Sequence, residues 1–313
     1  MIAFFAKRFL YLLLTMWVVS MMVYGLMEGT PGDVARKVLG PFATQDQVDR
    51  MTVQEGWDRP VVIRYVEWVG NLVQGDLGYS TLYKTPVNNI IWNRIGHTLV
   101  LAAIAFAIIV PASIVFGVAA GMREGSTLDR VISVASTVTT SVPEFASGAL
   151  LAFIFAVLLG VLPGVSTLDT GGNWSLASQL VLPVMVMVLY DLGYVVRMVR
   201  ASMIEVMTRS YIRTAVLKGL TFRDVIMKHA LRNAVITPFT VILLQINYLV
   251  AGVVVVEAVF AYPGFGRMLL DAGLAKDVAV VEAATMFAVF VTVSAQIIGD
   301  FGYMLLNPRI RFT

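Results

Sequence analysis

Among the carboxylates inside or at the ends of long apolar runs are Glu144, Asp191, Glu257 and Asp300. Burying such a group in an apolar setting is costly, so the first expectation is a role in moving solute or charge. Asp191 falls midway along its run. It either lines a solute path and meets a cationic group, or pairs with Tyr190, Tyr194 or another subunit. Glu144 follows Pro143, where a loosened backbone offers donors and a structural partner is expected. Glu257 marks the end of an apolar run before the turn at 262–266. Asp300, beside Gly299 and Gly302, is expected to hydrogen-bond between helices. Covalent chemistry has no support. Cysteine is absent, which excludes thiolate nucleophiles, disulfides and Cys-ligated zinc. His97 and His229 are isolated, without metal-ligand spacing. No G-x-x-x-x-G-K-[ST] phosphate loop occurs, so the chain is not expected to bind ATP itself; Lys218-Gly219 has the reverse order.

A second feature is electrostatic. Between Val196 and Ile236 stand eight Lys/Arg against two acids, enclosed on both sides by apolar sequence. The segment is too charged to cross a bilayer. Ile204, Met207 and Tyr211 fall at i, i+3 and i+7, so the preceding helix is expected to continue beyond the membrane. Ala215 and Gly219 place small residues four apart, and Gly219 suits a left-handed helix end. Thr221 with Asp224 resembles a capping box. Phe222, Val225, Ile226 and Ala230 then form an apolar stripe. The expected local fold is helix, glycine turn, helix. By spacing alone a solvated basic loop explains it equally well.

The elements that must position these residues follow from composition. Apolar residues make up 58% of the 313 and charged residues 14%, and mean hydropathy is +0.81. A soluble domain carries about a quarter charged residues. Lipid is therefore the expected solvent, and nucleic acid an unsupported partner. Roughly 20 residues at about 1.5 Å rise cross the hydrocarbon core. Six runs qualify: 9–27, 98–120, 131–162, 180–196, 237–256 and 279–306. The first follows Lys7-Arg8 but exceeds a signal-peptide core and lacks a small-x-small cleavage site, so it reads as an uncleaved membrane helix. The third is over-long and is expected to break at Pro143, which lacks an amide donor. Gly117, Ala119, Ala120 and Gly121 promise close helix packing.

Basic residues in the short loops fall mostly on one side: Lys7, Arg8, Arg123, Arg130, the eight of 197–232, Arg309 and Arg311, against only Arg267 and Lys276 in the opposite loop 257–278 and none in 163–179. The positive-inside rule then puts both termini in the cytoplasm. Three regions result: a first membrane helix at 1–27, an extracytoplasmic cap at 28–96, and a five-helix core at 97–313 whose cytoplasmic loop covers 201–236. In the cap, 33–39 and 45–51 are expected to be short helices, and Trp57, Tyr65, Trp68 and Leu72 have roughly helical spacing. The cap serves as a structured connector or as a docking surface for an external partner.

Motifs along the whole chain carry a resemblance. They are Gly75-Asp76-Leu77-Gly78-Tyr79-Ser80, Ser141-Val142-Pro143-Glu144-Phe145, Arg197 with Arg200-Ala201-Ser202, and Tyr211-Ile212-Arg213-Thr214-Ala215-Val216-Leu217-Lys218-Gly219-Leu220. His229-Ala230-Leu231-Arg232-Asn233-Ala234, Glu257-Ala258-Val259-Phe260-Ala261-Tyr262-Pro263-Gly264-Phe265-Gly266 and Asn307-Pro308-Arg309-Ile310-Arg311 complete the series. In this order they resemble ABC-importer permeases of the oligopeptide/dipeptide type. Three positions depart from the pattern: Arg213-Thr214-Ala215 where broader importers begin Glu-Ala-Ala, Asn307 for Asp, and Lys276-Asp277 for Arg-Asp.

The resemblance implies an all-α polytopic fold of six transmembrane helices, type I ABC importer permease-like, in a bacterial or archaeal cytoplasmic membrane. It implies ATPase coupling through Tyr211, Arg213, Thr214, Ala215, Lys218, Gly219, Leu220, His229, Arg232 and Asn233. It also implies partners: a second, paralogous permease, cytoplasmic ABC ATPase subunits that bind ATP and Mg, and an extracytoplasmic solute-binding protein. The chain itself would need no cofactor. Glu144, Asp191 and Glu257 are candidates for the path taken by peptides or solutes of similar size. Two rivals stand beside this: an ion-coupled transporter or channel using Asp191 and Asp300, and an intramembrane enzyme, for which no nucleophile–base pair is visible.

Overall fold

The computed structural model describes residues 2–28, 31–40, 42–168, 173–251 and 253–306. The 307–311 motif lies outside the described residues. In chain order the helices are α1 Ile2–Glu28, α2 Pro31–Leu39, α3 Gln45–Gln54 and α4 Val61–Val73; a small antiparallel pair, β1 Tyr79–Ser80 and β2 Thr85–Pro86, precedes α5 Val87–Gly121. Next come α6 Thr127–Ser141, α7 Glu144–Ala152 with a π-helical extension Phe153–Leu158, and α8 Leu176–Met207. Then follow α9 Ser210–Leu217, α10 Phe222–Asp224, a second π-helical segment Val225–Ala230, α11 Leu231–Ala234, α12 Ile236–Ala251, α13 Val254–Val259, α14 Phe265–Ala275 and α15 Val278–Leu306. The helices pack as two compact units, 1–98 with 263–293 and 99–262 with 294–313.

In the first unit, aromatic residues dock α4 on α1. Tyr65 and Trp68 lie against Tyr24, with ring centroids 5.4 and 6.1 Å away, and Ser20 Oγ meets the Tyr65 hydroxyl at 2.7 Å. The expected short helices are present as α2 and α3. Thr44 caps α3 with Gln47 in a reciprocal capping box. Two of the sequence motifs meet here although nearly two hundred positions separate them. Ser80 donates to the buried Asp277 carboxylate, the Leu82 amide donates to the same oxygen at 3.0 Å, and Asp277 also accepts from the Val280 amide as α15 begins. His97 makes a packing contact, its Nδ1 lying 2.9 Å from the Pro263 carbonyl.

The second unit holds α8 as its central wall. Gly117 and Gly121 on α5, four residues apart, lie so close that a Cβ on either would come within 2.6 Å of Val199 or Met203 side chains. Gly193 on α8 performs the same service toward α6, where an added Cβ would meet the Ser136 carbonyl oxygen at 2.6 Å. Small residues allow this backbone approach, which is how helices gain packing where lipid supplies little hydrophobic drive. The third apolar run breaks as Pro143 dictates: Val142 is extended, Pro143 starts the next helix, and α6 and α7 meet at 96°.

Four helices among the described residues are long and apolar enough to cross a membrane, or five if the bent α6–α7 pair is one crossing. The fifth expected run appears as the 16-residue α12 followed by α13. Several helices also outrun their apolar stretches, α5 beginning at Val87 and α8 ending at Met207. Hydropathy marks only the part fit for lipid, whereas backbone hydrogen bonding continues until a breaker intervenes.

Replacing Gly193 with Leu is expected to destabilise the detergent-purified protein by at least about 2 kcal/mol, since the added atoms meet backbone. Gly96→Ala, where a Cβ meets nothing within 4 Å, serves as the control. Equal thermal-unfolding midpoints for the two variants would refute the close-packing account.

Candidate functional site

The basic segment after α8 is a compact folded elbow. α8 stops at Met207, earlier than the i, i+3, i+7 spacing implies. Thr208 closes it by bonding to the Glu205 carbonyl, and extended Arg209 turns the chain into α9. Tyr211 therefore belongs to a separate short helix. Gly219 has φ +78°, the left-handed conformation expected of it, and Thr221 caps the next turn. The Lys228 ammonium, followed by the Thr221 hydroxyl, holds the Asp224 carboxyl below the usual carboxylate range.

Burial divides the elbow into two faces. Ile212, Ala215, Val225, Ala230 and Ala234 are buried in the unit's apolar core. Ser202 on α8 donates to the Ala234 carbonyl at 2.7 Å, which ties α11 to α8. Ala215 thus serves the inner packing. Turned outward are Tyr211, Val216, Leu217, Leu220 and Phe222, an apolar ridge with Leu217 80% exposed. Arg213, Thr214, Lys218 and Gly219 are exposed beside it, as are Arg232 and Asn233; His229 is half-buried. Asn233 donates to the His229 carbonyl at 2.9 Å, a bond internal to the helix.

The charged residues of the apolar runs separate into different settings. Asp191 is buried and lines a cavity of about 430 Å³ together with Thr140 from α6, Tyr190, Tyr194 and Arg197 from α8, and Val241 and Gln245 from α12. Gln245 Nε2 donates to Asp191 Oδ1 at 2.5 Å. Arg197 donates to Thr140 Oγ1 at 3.1 Å. Glu144 opens α7 and is not among the lining residues. Glu257 is fully buried in α13, away from this cavity's lining. The Asp300 side chain lies outside the described residues.

One ion pair escaped the sequence reading. Arg200 grips the buried Asp129 through both carboxylate oxygens, Nη2 to Oδ2 at 2.8 Å, and Asp129 also accepts from the Gly125 amide at 2.9 Å. The pair joins the start of α6 to the lower part of α8. Arg200 was legible as part of a basic motif, but Asp129 sits 71 residues away and offers no local signal.

A helical chain with membrane-length apolar helices, a solute-sized cavity and an exposed elbow fits the permease class. Comparison narrows the class. Residues 113–312 match the family described as binding-protein-dependent transport system inner membrane component, and residues 1–102 match "Binding-prot-dependent transport system membrane comp, N-term". The chain belongs to this family and is a permease subunit of a binding-protein-dependent importer. It is 36% identical over the full length of both chains to a protein of Brucella abortus strain 2308 that bears a peptide transport system permease name. It is 32% identical, again over both full lengths, to the oligopeptide transport system permease protein AppB of Bacillus subtilis strain 168. Its fold is similar to a chain in the inward-facing structure of the MetNI methionine ABC transporter, with TM-score 0.54 and 18% identity over 71% of this chain and 96% of that one.

Removing one member of the Asp129–Arg200 pair leaves the other charge without its partner. Asp129→Ala is expected to cost about 3 kcal/mol, read as a lowered unfolding midpoint. The exchanged double variant Asp129→Arg with Arg200→Asp should recover part of the loss. A double-variant loss equal to the sum of the two single-variant losses would show that the pair does not couple the helices.

Proposed function

We propose that this chain is one of two paralogous permease subunits that carry peptides inward across a bacterial or archaeal cytoplasmic membrane. It crosses six times with both termini in the cytoplasm, the bent α6–α7 pair being one crossing and α12 another. An extracytoplasmic solute-binding protein delivers the solute above the 28–96 segment. Separate ATPase subunits bind ATP and Mg and receive the elbow. The names of the full-length relatives favour peptides as the solute.

The observation that carries the reading is the outward ridge of Tyr211, Val216, Leu217, Leu220 and Phe222 on a segment held firmly from behind. Apolar side chains on a cluster of exposed basic residues are costly to leave in water and fit a protein groove. Arg213 and Lys218 flank the ridge and orient the docking. Gly219 lets the chain turn back after α9 without backbone strain. The drive then arrives as a shift between inward- and outward-open arrangements, set by the ATPase cycle.

The test is ATP-driven peptide uptake in vesicles holding the complete assembly. Leu217→Asp together with Leu220→Asp is expected to lower uptake and ATPase co-purification by about tenfold or more, as loss of a buried anchor does. Gly219→Val acts through the left-handed backbone, because a Cβ there meets nothing, and should uncouple in the same direction. Full uptake by the charged variant with the ATPase still bound, or uptake without nucleotide, would defeat the proposal; the second result would favour the ion-coupled rival.

A further inference from the structure

The cavity beside Asp191 has a chemistry that the importer reading does not use. Its lining places an acidic and a basic side chain on the same helix, six residues apart, which is about 9 Å of axial rise. Asp191 is 1% exposed; one carboxylate oxygen takes the Gln245 amide, and the other, Oδ2, is buried with no hydrogen-bond partner among the described residues. A buried carboxylate oxygen left in that state costs free energy unless something supplies a donor. Arg197 is the cationic counterpart. Its guanidinium has five N–H donors, and Thr140 takes one of them.

Between the two charges the wall is indifferent to detail. Tyr190, Tyr194 and Arg197 fall at i, i+4 and i+7 along one stripe of α8. The tyrosine rings offer apolar faces and polar tips, and Val241 adds an apolar surface. A volume of about 430 Å³ lies within the usual range for small-molecule sites, roughly 300–1,000 Å³. Each extended residue spans about 3.5 Å, so two or three of them bridge 9 Å. Peptides differ in every side chain but share a terminal ammonium and a terminal carboxylate. A site that tolerates varied side chains and still selects peptides must recognise what all peptides share, the two ends and the backbone amides; the two opposite side chains of this cavity suit the ends.

We propose that this cavity is a binding station for the two termini of a short zwitterionic peptide, with Asp191 Oδ2 accepting from the α-ammonium and Arg197 donating to the α-carboxylate. The inference rests on the importer reading and names the chemical class that the path recognises. An inorganic cation fits less well. Hard cations take six or more oxygen ligands, and no group of three or more acidic, histidine or cysteine side chains suited to a metal occurs among the described residues. An ammonium is satisfied by fewer acceptors.

The experiment uses the permease–ATPase assembly in nanodiscs, without the binding protein and without nucleotide, so that the binding protein's own selectivity does not enter. Equilibrium dialysis measures radiolabelled trialanine, N-acetyl-trialanine and trialanine amide. Loss of a charge-assisted hydrogen bond is expected to weaken binding about tenfold or more for either blocked peptide. In Asp191→Asn the penalty for N-acetylation should vanish while the penalty for amidation remains. Arg197→Gln should do the reverse, and Arg197→Lys should restore part of the preference. Equal binding of free and blocked peptides by the unmodified assembly overturns the proposal without any variant, which covers the case of a variant that fails to assemble. Penalties unchanged by the substitutions, or displacement of trialanine by sodium chloride through Asp191 alone, overturn it as well. ATP-driven uptake by the complete assembly is measured alongside. Its absence would sink the importer reading, whereas normal uptake with no preference for free termini would sink only this inference.

Discussion

Close backbone contact along α8 is the constraint on which the second unit depends. Lipid tails are as apolar as the side chains of the bundle, so burial alone does little to press helices together. Contact has to come from shape. Gly117 and Gly121 bring α5 against α8, and Gly193 brings α6 against its other side. With helix backbones this near, α8 has little freedom to rotate or slide. The angular positions of Asp191, Arg197, Arg200 and Ser202 follow from that.

Those four residues meet different partners along a single helix: the Gln245 amide, the Thr140 hydroxyl, the Asp129 carboxylate and the Ala234 carbonyl. The sequence of partners has a physical logic. Near the middle of α8 the partners are neutral, and the cavity retains polar capacity that a solute can use. Toward the end of α8 the full ion pair with Asp129 and the bond to α11 fix the helix to its neighbours. The elbow is thus joined to the cavity wall by one continuous packed helix. On the proposed reading, a push on the elbow is passed to the cavity wall along α8, which the Ser202–Ala234 bond ties to the elbow.

The first unit applies the same rules with different residues. Asp277 gathers Ser80, Leu82 and Val280, so two motifs far apart in the chain form one buried polar knot. Its donors satisfy the carboxylate, which is what allows an acid to be buried there. Aromatic packing of Tyr65 and Trp68 on Tyr24 holds α4 to α1.

Composition and periodicity alone established a helical membrane protein, the break at Pro143, the short helices α2 and α3, the left-handed turn at Gly219 and the cap at Thr221. Each of these depends on local physics: an apolar run long enough for lipid, a missing amide, a residue without a Cβ, a hydroxyl one turn from an open N–H. The ordered motifs also carried the family. Tertiary structure decided the rest. It ended α8 at Met207, turned Ala215 inward, paired Asp129 with Arg200, and singled out Asp191 from Glu144 and Glu257 as the acid lining the cavity. Contacts between residues tens of positions apart depend on the rotation and register of packed helices, and no short window of sequence contains that information.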